Sequence, residues 1–136
     1  MKLHTWVFRR IRRVKRRSIG HRLFVKMSKV DYAKHKESTR ILVARKISEF
    51  NIFYNFKFNK IAIRNQRSRW GSCSKRGNLN FNYRLALIPD ELVNYVIVHE
   101  LCHLGEFNHS QKFWDLVAQT LPNHIELRKK LHAIRF

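Results

Sequence analysis

Tyr95-Val96-Ile97-Val98-His99-Glu100-Leu101-Cys102-His103-Leu104 is the stretch that decides the fold. It sits in an apolar run from Leu92 that is hydrophobic nearly all round, so it reads as a central, buried helix. Pro89, Asp90 and Glu91 suit its start, since proline tolerates the first turn and acids face the positive end of the dipole. Gly105 is a natural terminator. His99 and His103 are four apart and therefore lie one turn apart on one face, where two imidazole nitrogens can converge on one ion. Glu100 is turned by roughly 100° from His99, which aims its carboxylate at metal-held water rather than at the metal. Zinc with neutral imidazoles and an open position brings its water's pKa down to about 7, within reach of a carboxylate base.

A catalytic zinc takes a third protein ligand. His109 follows His103 by six residues, past Gly105, where the chain is free to leave the helix and turn back. That is the ligand spacing of the metzincins, except that Glu106 stands where their glycine falls and no methionine follows His109. Random ordering of these residues would place H-E-x-x-H somewhere in only about 2% of such chains, so chance is a poor account of it. Satisfied core histidines are a poor account too, because polar groups on an apolar helix cost several kcal/mol when they lack partners. Glu106 and Glu126 are the fallback third ligands.

Outward from this helix, Asp31 to about Asn55 reads as an amphipathic helix with Tyr32, Ile41, Leu42, Val43, Ile47, Phe50 and Phe53 inward. Lys60–Arg64 alternates as a short strand, Asn65 to Gly77 is polar and turn-rich, and Asn78 to Leu85 alternates strictly. Strand, loop and strand suggest a hairpin. Ser110–Thr120 reads as a helix with Phe113, Trp114, Val117 and Leu121 inward, and Pro122 opens a last one through Leu127 and Leu131. The order argues for an α+β domain, with helices packed on a small antiparallel sheet.

The 136 residues carry 29 Lys+Arg against 9 Asp+Glu, a formal net charge of +20, yet 44% are hydrophobic, which is enough for a core. From Met1 to Lys29 there are 11 Lys/Arg and no acid. We therefore divide the chain into a basic arm or short strand, 1–29, and a domain, 30–136. No window of 18 apolar residues and no secretory signal is visible, and two cysteines make no disulfide scaffold. A cytoplasmic protein with no membrane partner and an affinity for polyanions is the expectation.

Arg69-Trp70-Gly71-Ser72-Cys73-Ser74, Asn80 to Pro89, the helix just described, Asn108-His109-Ser110 and Phe113-Trp114 together resemble the YgjP-like zinc metallopeptidase family, which sits with the SprT-like zincins. The resemblance runs from about Asp31 to Leu131. It implies a zincin-like core, Zn2+ held by His99, His103 and His109, and Glu100 as catalytic acid/base. It also implies that the Trp70 segment lies beside the active-site cleft. Fuller members carry a longer β-rich N-terminal segment where this chain has the basic arm.

Cys102 reads as a small buried hydrophobe, and Cys73 has no assigned place. Phe113 and Trp114 read as core, and His4, His21, His35, His124 and His132 as surface residues. Tyr83, Arg84, Tyr95 and His124 are candidates for stabilising the developing oxyanion.

Two functions are weighed. One is a zinc-dependent metallopeptidase acting on peptide or protein substrates. The other is a DNA- or RNA-binding protein whose zinc is structural. Glu100 favours the enzyme, since a structural site has no use for a carboxylate beside its first ligand. The two combine if the peptidase acts on nucleic-acid-associated proteins. In that reading the arm joins Lys57, Lys60, Arg64, Arg67, Arg69, Lys75, Arg76 and Arg84, with Trp70, Phe81 and Tyr83 as candidates to stack on bases.

Overall fold

The computed structural model describes residues 29–134, so the basic arm, apart from Lys29, lies outside the described residues. Helix α1 (Lys29–Tyr54) comes first, followed by strands β1 (Lys60–Arg64), β2 (Gly71–Cys73) and β3 (Asn78–Asn82). A 3-10 turn (Tyr83–Leu87) leads into α2 (Asp90–Gly105), α3 (Gln111–Thr120) and α4 (His124–Ala133). The α+β class is as the residue pattern predicts, and the described helices contain none long and apolar enough to cross a membrane.

The sheet is mixed rather than antiparallel. Its order is β1-β3-β2, with β1 parallel to β3 and β2 antiparallel to it. The hairpin expected between Lys60–Arg64 and the Asn78 strand is instead β2–β3. Its turn is closed by the Gly77 N–H donating to the Ser74 carbonyl at 2.9 Å, with Gly77 at φ +76°. That left-handed conformation costs glycine nothing and strains other residues. β2 has three residues, too few for alternation to show.

The third strand stops at Asn82, short of the Leu85 that alternation suggests. Asn82 is the reason. Its Oδ1 accepts the Arg84 N–H at 3.1 Å, and its Nδ2 donates to the Gln66 and Arg69 carbonyls at 2.8 and 3.0 Å. One buried side chain thus caps the turn and ties down the loop that carries Trp70.

α2 runs through the middle, buried at nearly every position from Leu92 to His103. On one side Val43, Ile47, Ile63, Leu79, Phe81, Leu85, Val96 and Leu127 fill the core, and on the other Val98 and Cys102 meet Phe113 and Val117. α1 departs from its expected pattern, because Ile41 and Phe53 are 60% and 58% exposed. The inward stripe carries Thr39 and Lys46 instead. The Thr39 hydroxyl donates to the Tyr83 carbonyl at 2.7 Å, and the buried Lys46 ammonium reaches Asp90 at the start of α2 at 2.6 Å. A buried cation needs such a partner, and here it fixes one helix against the end of the other.

Candidate active site

His99 and His103 project from the same face of α2. The helix then ends at Gly105, where an added Cβ would lie 2.7 Å from Phe56 Cζ, so glycine lets the Phe56 ring close over the terminus. Glu106 is extended and its N–H returns to the Cys102 carbonyl at 2.9 Å. The next few residues turn back toward α3 and bring His109 to the pair.

The three imidazoles converge. His99 Nε2 lies 3.1 Å from His103 Nε2 and 3.0 Å from His109 Nε2, and the three ligand atoms all fall within 4.8 Å of one another. Nitrogens about 2.05 Å from a common tetrahedral ion would stand roughly 3.3 Å apart, so the spacing suits a metal. His103 Nδ1–H donates to the Glu106 carbonyl at 3.1 Å, which leaves its Nε2 lone pair for the ion. Burial and the neighbouring imidazoles hold His99 well below its ordinary pKa. Burial brings His103 to about 4 and lowers His109 as well. Neutral imidazole is the ligating form.

Glu100 is fully buried, and neither carboxylate oxygen has a hydrogen-bond partner among the described residues. Burial pushes its pKa up to about 8, against the opposing pull of Arg69. A buried carboxyl without a partner is costly unless something outside the protein chain compensates it. Three converging neutral nitrogens beside it supply a place for a cation and a reason for the carboxyl.

An aromatic platform holds the histidines. The His103 ring stacks on Phe113 with centroids 4.5 Å apart, and the His109 ring stacks on Trp114 at 5.7 Å. Phe113 is core, as expected, but with half-buried Trp114 it also orients His103 and His109. Trp114 in turn stacks on His124 at 5.3 Å, with the Arg128 guanidinium 5.2 Å from its ring centroid on α4. His124 is therefore partly enclosed rather than a plain surface residue, and Arg128 is a cation beside the site that its sequence context does not announce.

The Trp70 segment does lie against the site. A Cβ at Gly71 would fall 2.8 Å from both Cγ and Oε1 of Glu100, so β2 passes as close to the carboxylate as a main chain can. Gly71→Ala is expected to displace the Glu100 side chain and lower hydrolysis about tenfold or more while metal content stays near one ion per chain. Metal analysis beside peptide-hydrolysis rates checks this.

Other candidates separate. Tyr95 is buried with its ring 5.7 Å from His99, and His124 stacks on Trp114, so Tyr95 and His124 border the histidine cluster. Tyr83 packs on Tyr32 under α1, and Arg84 donates to the Gln66 carbonyl at 3.0 Å and covers the Tyr83 ring, so both serve the core. Glu126 pairs with Lys130 at 2.9 Å, and Glu106 contributes its carbonyl rather than its carboxylate to His103. Cys102 is buried, as expected, and Cys73 lies half-buried in β2. Burial pushes both thiols up to about 12, too high for reactive thiolates at neutral pH. Trp70, Phe81 and Tyr83 are no more than 3% exposed, which removes them as platforms for bases.

The model of the YgjP-like metallopeptidase domain matches residues 25–134. The chain belongs to the YgjP-like metallopeptidase family. As a YgjP-like chain it is a hydrolase of peptide bonds, and that family implies a bound metal ion. Its fold resembles the metallopeptidase zymogen abylysin of Pyrococcus abyssi, with a TM-score of 0.60 and 21% identity, covering 65% of this chain and 90% of that one. It also resembles the metallopeptidase zymogen jannalysin of Methanocaldococcus jannaschii, with a TM-score of 0.57 and 26% identity, covering 65% and 92%. No curated protein matches this YgjP-like chain significantly.

Proposed function

We propose that this YgjP-like chain is a zinc endopeptidase in which His99, His103 and His109 hold the metal and Glu100 moves the proton. The observation that carries the reading is the convergence of three Nε2 atoms, from buried His99 and His103 and half-buried His109, beside a buried carboxyl that has no hydrogen-bond partner among the described residues. Three neutral nitrogens with one position open are the donor set of a catalytic zinc, whereas structural zinc is closed by four ligands, mostly Cys. Bound there, zinc supplies a Lewis acid and water acidified into the neutral range. The chain's own residues do the rest. Glu100 accepts a proton in attack and returns one to the leaving amine, and desolvation keeps its basicity above that of an ordinary carboxylate. His103 is locked by Glu106 and Phe113, and His109 by Trp114, so the ligands are set before metal arrives.

Metal analysis of the purified protein should find about one zinc per chain, and chelation should abolish hydrolysis of a casein-like substrate until zinc is restored. Protein that holds no divalent ion, or hydrolyses equally after chelation, would reject the assignment. A cytoplasmic location and an independent arm at 1–29 belong to the same proposal, resting on the composition of the chain.

The finer part concerns targets. We read the acid-free arm, with exposed Lys60, Arg64 and Arg67, as a surface that brings the peptidase to proteins lying on DNA or RNA. If about six phosphates are neutralised, log K should fall against log salt with a slope near −5 on duplex DNA. Deleting Met1 to Arg17 should flatten that slope and leave zinc content intact. Absence of binding at about 50 mM salt, where the electrostatic contribution is strong, rejects this part alone.

A further inference from the structure

A hollow of about 330 Å³ opens between the β2–β3 hairpin tip and the C-terminal end of α2. Lys57, Lys75 and Arg76 surround it, and Phe58, Leu104 and Phe107 form its apolar walls. Both phenylalanines are 37% exposed, an unusual state for rings that had a core to join. No carboxylate lines the hollow, and none of its three cations forms an ion pair among the described residues. Glu106, one residue from Phe107, is the nearest acid along the chain and is not among the lining groups.

The frame is rigid. The Asn59 N–H donates to the Gly77 carbonyl at 2.8 Å, and the Asn59 side-chain amide donates to Asn78 Oδ1 at 2.8 Å. The Asn78 N–H donates to Ser74 Oγ at 3.2 Å, so the turn that carries Lys75 and Arg76 is tied at both ends.

Both walls lead back to the active site. Leu104 follows His103 directly, and Phe107 lies in the loop between His103 and His109. From Glu100 to Leu104 the helix climbs about 6 Å, and from Gly71, which touches Glu100, the chain reaches Lys75 in about 13 Å. An extended peptide advances about 3.3 Å per residue, so these lengths correspond to about two to four residues of an extended substrate.

We propose that the hollow is a substrate subsite that selects an acidic side chain at one fixed position, two to four residues from the cleaved bond. Lys57, Lys75 and Arg76 face its carboxylate, while Phe58, Leu104 and Phe107 cover its aliphatic stem. The inference rests on the peptidase reading above and deepens it. It treats the partner as peptide rather than nucleic acid because the hollow has apolar walls and borders the loop between His103 and His109.

The zinc-loaded full-length protein is tested on a peptide library randomised around the cleaved bond. Asp or Glu should be enriched at one position, with kcat/KM about tenfold above the Ala peptide, as several partly screened charge contacts would produce. In K75E/R76E the preference at that position should turn to Lys or Arg, with zinc content held constant as a check on folding. Cleavage with no positional preference overturns the subsite and leaves the peptidase intact. An unchanged acidic preference in K75E/R76E overturns it too, and if single-stranded oligonucleotide binding falls in the same variant the hollow is a nucleic-acid contact instead. If no peptide is cleaved, the peptidase reading is what has failed, and peptide binding to Glu100→Gln protein, followed by fluorescence anisotropy, decides the subsite separately. Tighter binding of the Glu-containing peptide than of its Ala counterpart, lost in K75E/R76E, supports it, and equal binding overturns it.

Discussion

Glu100→Gln is expected to keep about one zinc per chain and to lose hydrolysis by about 10²-fold or more, the usual weight of a general base. The substitution preserves shape in a site where shape is constrained, since the main chain at Gly71 leaves no spare room beside the side chain. It removes the carboxylate proposed to accept the proton. Stability should change little, because an amide of the same shape replaces a carboxyl that has no hydrogen-bond partner among the described residues. Paired measurements of metal content, urea midpoint and hydrolysis separate the outcomes. Undiminished activity in the variant rejects Glu100 as the base, and lost zinc shows that the residue holds the metal instead.

His99→Ala and His103→Ala are expected to abolish zinc binding, and His109→Ala to weaken it strongly. His99 sits at the centre, within 3.1 Å of both other Nε2 atoms, so its loss removes the common contact. The same changes are expected to lower stability. Zinc held at about 1,000 times its dissociation constant adds roughly 4 kcal/mol to the folded state, a shift in Tm on the order of 10 °C for a domain of this size. Scanning calorimetry with and without chelator should therefore show a large drop in wild type and almost none in His103→Ala. His109→Ala binding zinc normally while Glu106→Ala or Glu126→Ala does not would overturn the choice of third ligand. The pairing of Glu126 with Lys130 and the aromatic support under His109 argue for His109.

What could be read along the chain was whatever has short-range periodicity. The i, i+4 pair on an apolar helix needs only helical geometry, and α2 occupies 90–105 with its acids in the first turn. β1 begins and ends where alternation places it, and α1 is within two residues of its expected ends. His109 was legible through its offset past Gly105, because a fixed short loop limits where a residue can return.

Only the tertiary structure decided the rest, because those features depend on contacts between residues far apart in sequence. β2 is three residues long and exists by pairing with β3, while β1 joins β3 in parallel, a choice that strand alternation does not encode. Ile41 and Phe53 carry the helical spacing of a core face but look outward, because Thr39 and Lys46 are bound to Tyr83 and Asp90 on that side. Trp70, Phe81 and Tyr83 could equally have faced solvent on composition alone, and packing against α1 and α2 removed them from it. Gly71 has no side chain to suggest a role, yet its closeness to Glu100 is what bounds the space around that carboxyl. Local sequence thus determined the helix that carries His99 and His103, and the fold determined what surrounds it, since burial, stacking and charge neighbourhoods arise only when distant segments meet.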